Sequence, residues 1–289
     1  MTRFRSAMAL AILAVASLSA PVLAQESAVA DKIRKSGKVT IGYRESSIPF
    51  SQINNAGKPE GYSIDLCLAI VDFIKTDWSL PNLQIDYVPV TSQTRIPLIA
   101  NGTIDLECGS TTNTLARGKQ VDFLVTTFVT GSKIAVRANS DINEIEDLRG
   151  KRVVVAAGST NERIAHALNR EKGLNMTIIS ATDQAQGWLT METGRADAFV
   201  SDDVILFGFR AKARNPNDFK VAGRPLSFDP YGIMLRRNDS TFRLAGNQAL
   251  ARIFKNGEAE KIHKKWFEPI GVPLSPLLKA SFELNALPD

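Results

Sequence analysis

Apolar and polar positions alternate over residues 39–43, Val-Thr-Ile-Gly-Tyr, which predicts a strand running into the polar stretch Arg44-Glu45-Ser46-Ser47 ahead of Pro49. The period then changes. After the turn Asn54-Asn55-Ala56-Gly57, residues Ile64, Cys67, Leu68, Val71 and Ile74 fall on one helical stripe, with Ser63 or Asp65 near its start. A further strand is expected over residues 83–90. Strand, helix, strand in this order is the unit from which sheets with parallel strands are built.

Two later stretches echo one another. IPLIANGTIDLECGSTT and WLTMETGRADAFVSDD each contain a short helical segment, a glycine at its end (Gly102, Gly194) and an aspartate three residues on (Asp105, Asp197). A strand follows in each case, ending in small polar or acidic groups. The glycines suit helix C-terminal turns, and the strands carry their last residues to a carboxyl-end edge. Two α/β units, each presenting a polar strand end, are therefore expected, although helix-glycine-strand is also common punctuation.

The second unit opens with a buried-type strand at residues 153–157 that runs through Gly158-Ser159-Thr160 into a helix. Such a helix start offers unpaired N–H groups to a carboxylate or phosphate, and helix capping accounts for Ser159 or Thr160 equally well. Residues 225–237, PLSFDPYGIMLRR, predict a return strand, and GEAEKIHKKWF a terminal helix with Ile262 and Trp266 on one face. A chain that returns in this way crosses between units twice, near residues 126–132 and 224–231. Two crossings make a hinge.

The N-terminus changes the picture of where the chain works. Arg3 and Arg5 precede an apolar run over residues 7–18 and the small-residue ending Val22-Leu23-Ala24, the pattern of a secretory signal peptide cleaved after Ala24. The run is short for a membrane span, and no cysteine near the cleavage point invites a lipid anchor. Without that leader the formal charge falls from +5 to +3, with 33 basic and 30 acidic residues interspersed, unlike the clustered basic face of a nucleic-acid binder. Export also places Cys67 and Cys108 where they either form one bridge or stay as two buried thiols. With only His166 and His263 besides them, and no ligand spacing, no metal site is expected.

No nucleophile elbow, P-loop, dinucleotide fingerprint or HExxH motif occurs. Asp202 and Asp203 are adjacent, so on a strand they point to opposite faces. The chain instead carries an excess of donors at predicted strand ends and helix starts: Arg44, Ser92, Arg95, Ser110, Thr112, Arg117 and Thr160. Guanidinium forks match carboxylates, so three arginines in such places suit two carboxylates, and Asp202 suits an ammonium.

The stretches GYRESSIPFS, GYSIDLC, TSQTRIPLIANGTIDLECGSTTN and EAEKIHKKWF resemble the family 3 periplasmic solute-binding proteins of ABC amino-acid importers, and among them the glutamate/aspartate-binding proteins. The likeness runs from about residue 31 to residue 273. It implies the α/β, two-lobe type II binding-protein fold, each lobe a mixed sheet flanked by helices, joined by two hinge strands. Lobe 1 would comprise residues 25–128 and 228–289, and lobe 2 residues 129–227.

Carried onto this chain, the resemblance implies that Arg117, Thr112 and the Thr160 helix start meet an α-carboxylate, and that Ser110 and Asp202 meet the α-ammonium. Arg44, Ser92 and Arg95 would meet a side-chain carboxylate. Gln184 departs from the family's acidic-amino-acid binders, which carry histidine there. Its amide can donate to a carboxylate or accept from an amide, so glutamine and asparagine remain alternatives to glutamate and aspartate. The resemblance further implies a periplasmic, non-enzymatic monomer without cofactor that hands its ligand to a membrane permease. Two other readings stay open: a ligand-binding sensor module, and an enzyme on the same fold, such as a dehydratase of a cyclic carboxylate, with Glu107 or Asp202 as its acid or base.

Overall fold

The computed structural model describes residues 28–288, so the expected signal peptide lies outside the described residues. Two five-stranded mixed sheets organise the chain. In the first, strands run in the order Gln84–Pro89, Lys38–Tyr43, Leu106–Cys108, Met234–Arg236, Val121–Phe123. The second has the order Thr177–Ala181, Arg152–Ala156, Ala198–Asp202, Ser132–Arg137, Phe219–Ala222. Each sheet begins with three parallel strands and ends with two antiparallel pairings. Both sheets thus share one plan, and helices flank each of them.

The second sheet shows why its central strand reads as a continuous apolar run. Val153 and Val155 pack with Ala165 of helix Thr160–Glu171, while Val154 joins Trp188 of helix Gln184–Glu192 and Phe209 of helix Asp203–Lys212 on the other face. With helices on both faces, every position from Val153 to Ala156 meets a core, and Arg152 at the strand's start is exposed. In the first lobe, helix Tyr62–Asp77 lies between the sheet and helices Ser240–Lys255 and Glu258–Phe267. Leu66 and Ile70 are therefore buried along with the predicted Ile64, Cys67, Val71 and Ile74, and Leu68 is half-buried.

Cys67, on this helix, is bonded to Cys108 at the end of strand Leu106–Cys108, with Cα atoms 6.3 Å apart. Of the two alternatives for the thiols, the bridge is the one observed.

The echo between the two units has a definite cause. Asp105 Oδ2 accepts from the Thr40 N–H and Asp197 Oδ2 from the Arg152 N–H, both at 2.8 Å, so each aspartate stitches the third parallel strand to the middle one. A cation completes both stitches: Lys32 Nζ binds the Gly102 carbonyl and Asp105, and Arg152 Nη2 binds the Gly194 carbonyl and Asp197. Gly102 and Gly194 have φ of 78° and 73°, the left-handed turn that closes each preceding helix.

Two expectations change in detail. Residues 225–237 form not one strand but two, Asp229–Tyr231 and Met234–Arg236. The break at Gly232-Ile233 lets the first piece pair antiparallel with Phe128–Thr130, the outgoing crossing, while the second inserts into the first sheet. On helix Glu258–Phe267 the buried line is Ala259, His263 and Phe267, whereas Ile262 and Trp266 are only half-buried. His263 and Phe267 join the ring cluster of Phe50, Tyr62 and Phe128, which claims that face of the helix.

Candidate functional site

Parallel strands aim their carboxyl ends the same way, and the loops leaving those six ends supply eight of the nine candidate residues. Arg44 follows strand Lys38–Tyr43, Ser92 and Arg95 follow Gln84–Pro89, and Ser110 and Thr112 follow Leu106–Cys108. From the second sheet, Thr160 follows Arg152–Ala156, Gln184 follows Thr177–Ala181, and Asp202 ends Ala198–Asp202. Arg117 comes from the short turn after Thr112. All nine are buried, none more than 7 % exposed.

The two sets meet. Thr112 Oγ1 lies 3.3 Å from Thr160 Oγ1, and Tyr231 donates a short hydrogen bond to Asp202. Further out, the Ala185 N–H donates to Ser46 Oγ at 3.3 Å and Lys212 Nζ to Gln52 Oε1 at 2.6 Å. The lobes are closed on one another.

Within the first lobe three guanidinium groups converge. Arg95 Nη1 donates to the Ser110 carbonyl at 3.0 Å and to Thr111 Oγ1, and Arg117 Nη1 donates to the Thr112 carbonyl at 2.7 Å. Arg44 is different: neither of its terminal nitrogens has a partner, nor has Arg95 Nε. Burial, together with the neighbouring Arg95, pulls the Arg44 pKa down to about 10. Arg117 falls to about 9 from burial and the charges of Arg95 and Arg163. Both remain cations at neutral pH, so the lobe presents buried positive charge with unspent donors.

Asp202 faces this charge from the second lobe. Burial and the carboxylate of Asp229 raise its pKa to about 7, against the opposing hydrogen bond from Tyr231. With its amide oxygen and nitrogen exchanged, Asn161 donates to Asp202 Oδ1 at 3.1 Å and to Ser132 Oγ at 2.7 Å, fixing the carboxyl from the side. Ser159 turns out to be a cap: its hydroxyl accepts from the Glu162 N–H, and the Glu162 carboxylate takes the Gly158 N–H. Of the Gly-Ser-Thr start, Gly158 packs against Gln93 of the other lobe and Thr160 brings its hydroxyl to Thr112. Gln184 accepts from Ser201 Oγ at 3.0 Å through its side-chain carbonyl, which leaves its NH₂ as the group free to donate elsewhere. Ser92 is buried beside Arg95, but no side-chain hydrogen bond ties it to the cluster.

Further residues support the constellation. Asp229 accepts from Thr112 Oγ1 at 3.1 Å and from Ser227, and Tyr231 holds Asp202. Their spacing of two within a strand puts both on one face, a signal present in SFDPYG. Ser47 accepts from Ser110 Oγ at 3.2 Å. Alternation also separates Ser110 and Thr112 from Thr111, which turns away to donate to Glu107 Oε2 at 2.6 Å.

A sequence model of the bacterial extracellular solute-binding proteins, family 3, matches residues 39–269. The L-glutamate/L-aspartate-binding protein of Pseudomonas aeruginosa is 46% identical over 88% of this chain and 85% of its own length. A glutamate/aspartate import solute-binding protein of Escherichia coli is 44% identical over 96% of this chain and 93% of its own. Among solved structures, an ancestral arginine-binding protein bound to glutamine superposes with a TM-score of 0.72 at 30% identity, covering 80% of this chain and 98% of that one.

Proposed function

Because the chain belongs to the bacterial extracellular solute-binding proteins of family 3, we propose that it captures L-glutamate or L-aspartate between its lobes for an ABC importer. One observation carries the choice of ligand: Arg44, Arg95 and Arg117 are buried to 4 % exposure or less around one point, with donors of Arg44 and Arg95 unpaired. A buried guanidinium without a partner costs several kcal/mol, and a dicarboxylate repays that cost where an amide repays only part of it. Two relatives named for glutamate and aspartate support the same reading.

In this reading Arg117, Thr112 and the Thr160 helix start hold the α-carboxylate, Ser110 and Asp202 the ammonium, and Arg44, Ser92 and Arg95 the side-chain carboxylate. Gln184 adds a donor. Its carbonyl accepts from Ser201, and its NH₂ remains to donate to an oxygen of the ligand's side chain. Residues 28–128 and 228–288 form one closing lobe and residues 129–227 the other, with Phe128–Thr130 and Asp229–Tyr231 as the hinge. Closure is favoured by ligand because contacts from both lobes coexist only in the closed form. The protein works in the periplasm as a monomer, binds without turnover and docks to a membrane permease.

The test is calorimetric titration of protein stripped of ligand by unfolding and refolding, with L-glutamate, L-aspartate, L-glutamine and L-asparagine. Tight binding of the acids and much weaker binding of the amides is expected. Amides bound as tightly as acids would overturn the ligand assignment and leave the family intact.

A further inference from the structure

Glu107 is a carboxylate of the first lobe that lies beside Arg95 and acts on Arg44 and Arg117 as well. It is fully buried, its Oε1 has no hydrogen-bond partner, and Arg95 Nη1 lies 3.8 Å from that oxygen. Its Oε2 accepts from the Thr111 hydroxyl, which itself accepts from Arg95, so guanidinium, hydroxyl and carboxylate form a relay. A Cβ placed on Gly109 would collide with Glu107 Oε1 and with the Arg44 side chain, so that glycine is what lets the two approach. The negative charge also acts on Arg44 and Arg117, favouring the cationic form of both.

We propose that Glu107 is a counter-charge that sets the strength and selectivity of ligand binding, holding Arg95 through Thr111 and reducing three buried cations to a net charge matching two carboxylates. The inference rests on the proposed dicarboxylate ligand. Its consequence is opposite to that of an ordinary site residue. Glu107 stabilises the ligand-free lobe, where the arginines repel one another, and repels the arriving carboxylates. The chain thereby gives up affinity for a site that folds before its ligand arrives and releases it afterwards.

Two variants separate charge from hydrogen bonding. Glu107→Gln keeps an oxygen for Thr111 and removes the charge. Melting of the ligand-free protein should occur at lower temperature, the upward shift on adding L-glutamate should grow, and L-glutamate should bind tighter by on the order of tenfold, with L-glutamine gaining less. Thr111→Val keeps the charge and cuts the relay; loss of its hold on Arg95 should lower the ratio of glutamate to glutamine affinity. Equal weakening of both ligands by Glu107→Gln would mark a merely structural residue and overturn the inference while leaving the ligand assignment standing. Should the unmodified protein bind neither acid, the dicarboxylate reading fails instead. The counter-charge is then still read in the ligand-free melting temperature, and an unchanged value in Glu107→Gln overturns it.

Discussion

Gly208 offers a way to weaken binding without touching the site. It lies in helix Asp203–Lys212 of the second lobe, and a Cβ there would meet Ile48 of the first lobe at 2.9 Å from Cγ2, 3.0 Å from the backbone oxygen and 3.2 Å from the backbone carbon. Ordinary contacts between such atoms begin near about 3.5 Å, and two of the three obstacles are backbone, which cannot swing aside. Overpacking of this kind costs about 1–3 kcal/mol. The cost falls on the closed form alone, because opening the lobes carries Ile48 away. Gly208→Ala should therefore raise Kd by about 5- to 150-fold for every ligand alike. Alanine in a helix interior is better than glycine by about 1 kcal/mol, so the ligand-free protein should melt no lower than before. Titration calorimetry reads the first effect, calorimetric melting the second, and small-angle scattering at saturating ligand reports whether the lobes still close. A Kd within twofold of the unmodified protein would show that closure does not press Gly208 against Ile48, and the hinge argument would fall with it.

Replacing Arg44 with methionine removes a buried cation with unpaired nitrogens; ligand-free stability should rise by about 1–4 kcal/mol in urea titrations while binding of L-glutamate is lost, and a fall in stability would contradict the account of Arg44 as strained for function. In the closed lobes without ligand, Asp202 holds its proton below about pH 7 because burial and Asp229 oppose its charge, and a bound ammonium reverses that preference. Binding at pH 6 should then release a proton, with affinity falling by up to about tenfold per pH unit from 7 downward. Calorimetry in two buffers of different ionisation enthalpy checks this, and no proton release would refute it. Removing the bridge by changing Cys67 and Cys108 to alanine frees a loop 41 residues long, and a stability loss of up to about 4 kcal/mol is expected by urea unfolding, with less than about 1 kcal/mol counting against the estimate.

Much of the site was legible because strand ends can be read without knowing the tertiary fold. Arg44, Ser110, Thr160 and Asp202 each stand where an apolar run stops, and a parallel sheet turns that local fact into a shared location. The paired aspartates Asp105 and Asp197 were legible as a repeat, but not in purpose: both prove to be stitches between strands, remote in role from the ligand. What escaped was whatever depends on two distant segments meeting. Tyr231 reaches Asp202 across 29 positions, and Thr112 reaches Asp229 across 117, distances over which periodicity carries no information. The break at Gly232-Ile233 escaped for the same reason, since the competing demands of the strand pair with Phe128–Thr130 and of the first sheet divide a run that reads locally as one strand.

The division of charge between the lobes gives closure its direction. Cations are gathered in the first lobe, where Arg44, Arg95 and Arg117 surround one buried carboxylate; the second lobe contributes Asp202, with Asp229 on the hinge strand pressing upon it. An amino acid carries both signs on neighbouring atoms. Its carboxylates are attracted to one lobe and its ammonium to the other, so neither lobe alone neutralises the ligand and neither is itself neutralised by half of it. A monocation would leave the arginines uncompensated, and a dicarboxylate without an amine would leave Asp202 facing no partner, keeping its proton. Full compensation needs all three charges of the ligand and both lobes at once. In the proposed reading Tyr231 couples this to motion: it donates to Asp202 from strand Asp229–Tyr231, so the residue proposed to meet the ammonium is tied to the segment proposed as the hinge. Tyr231→Phe leaves the aromatic packing against Phe50 and cuts only that tie. The carboxyl of Asp202 then loses a donor that favours its charged form, so its pKa should rise and the proton released on binding should be seen at higher pH than in the unmodified protein. A release profile unmoved by the substitution would mean that the hinge strand and the ammonium site act independently.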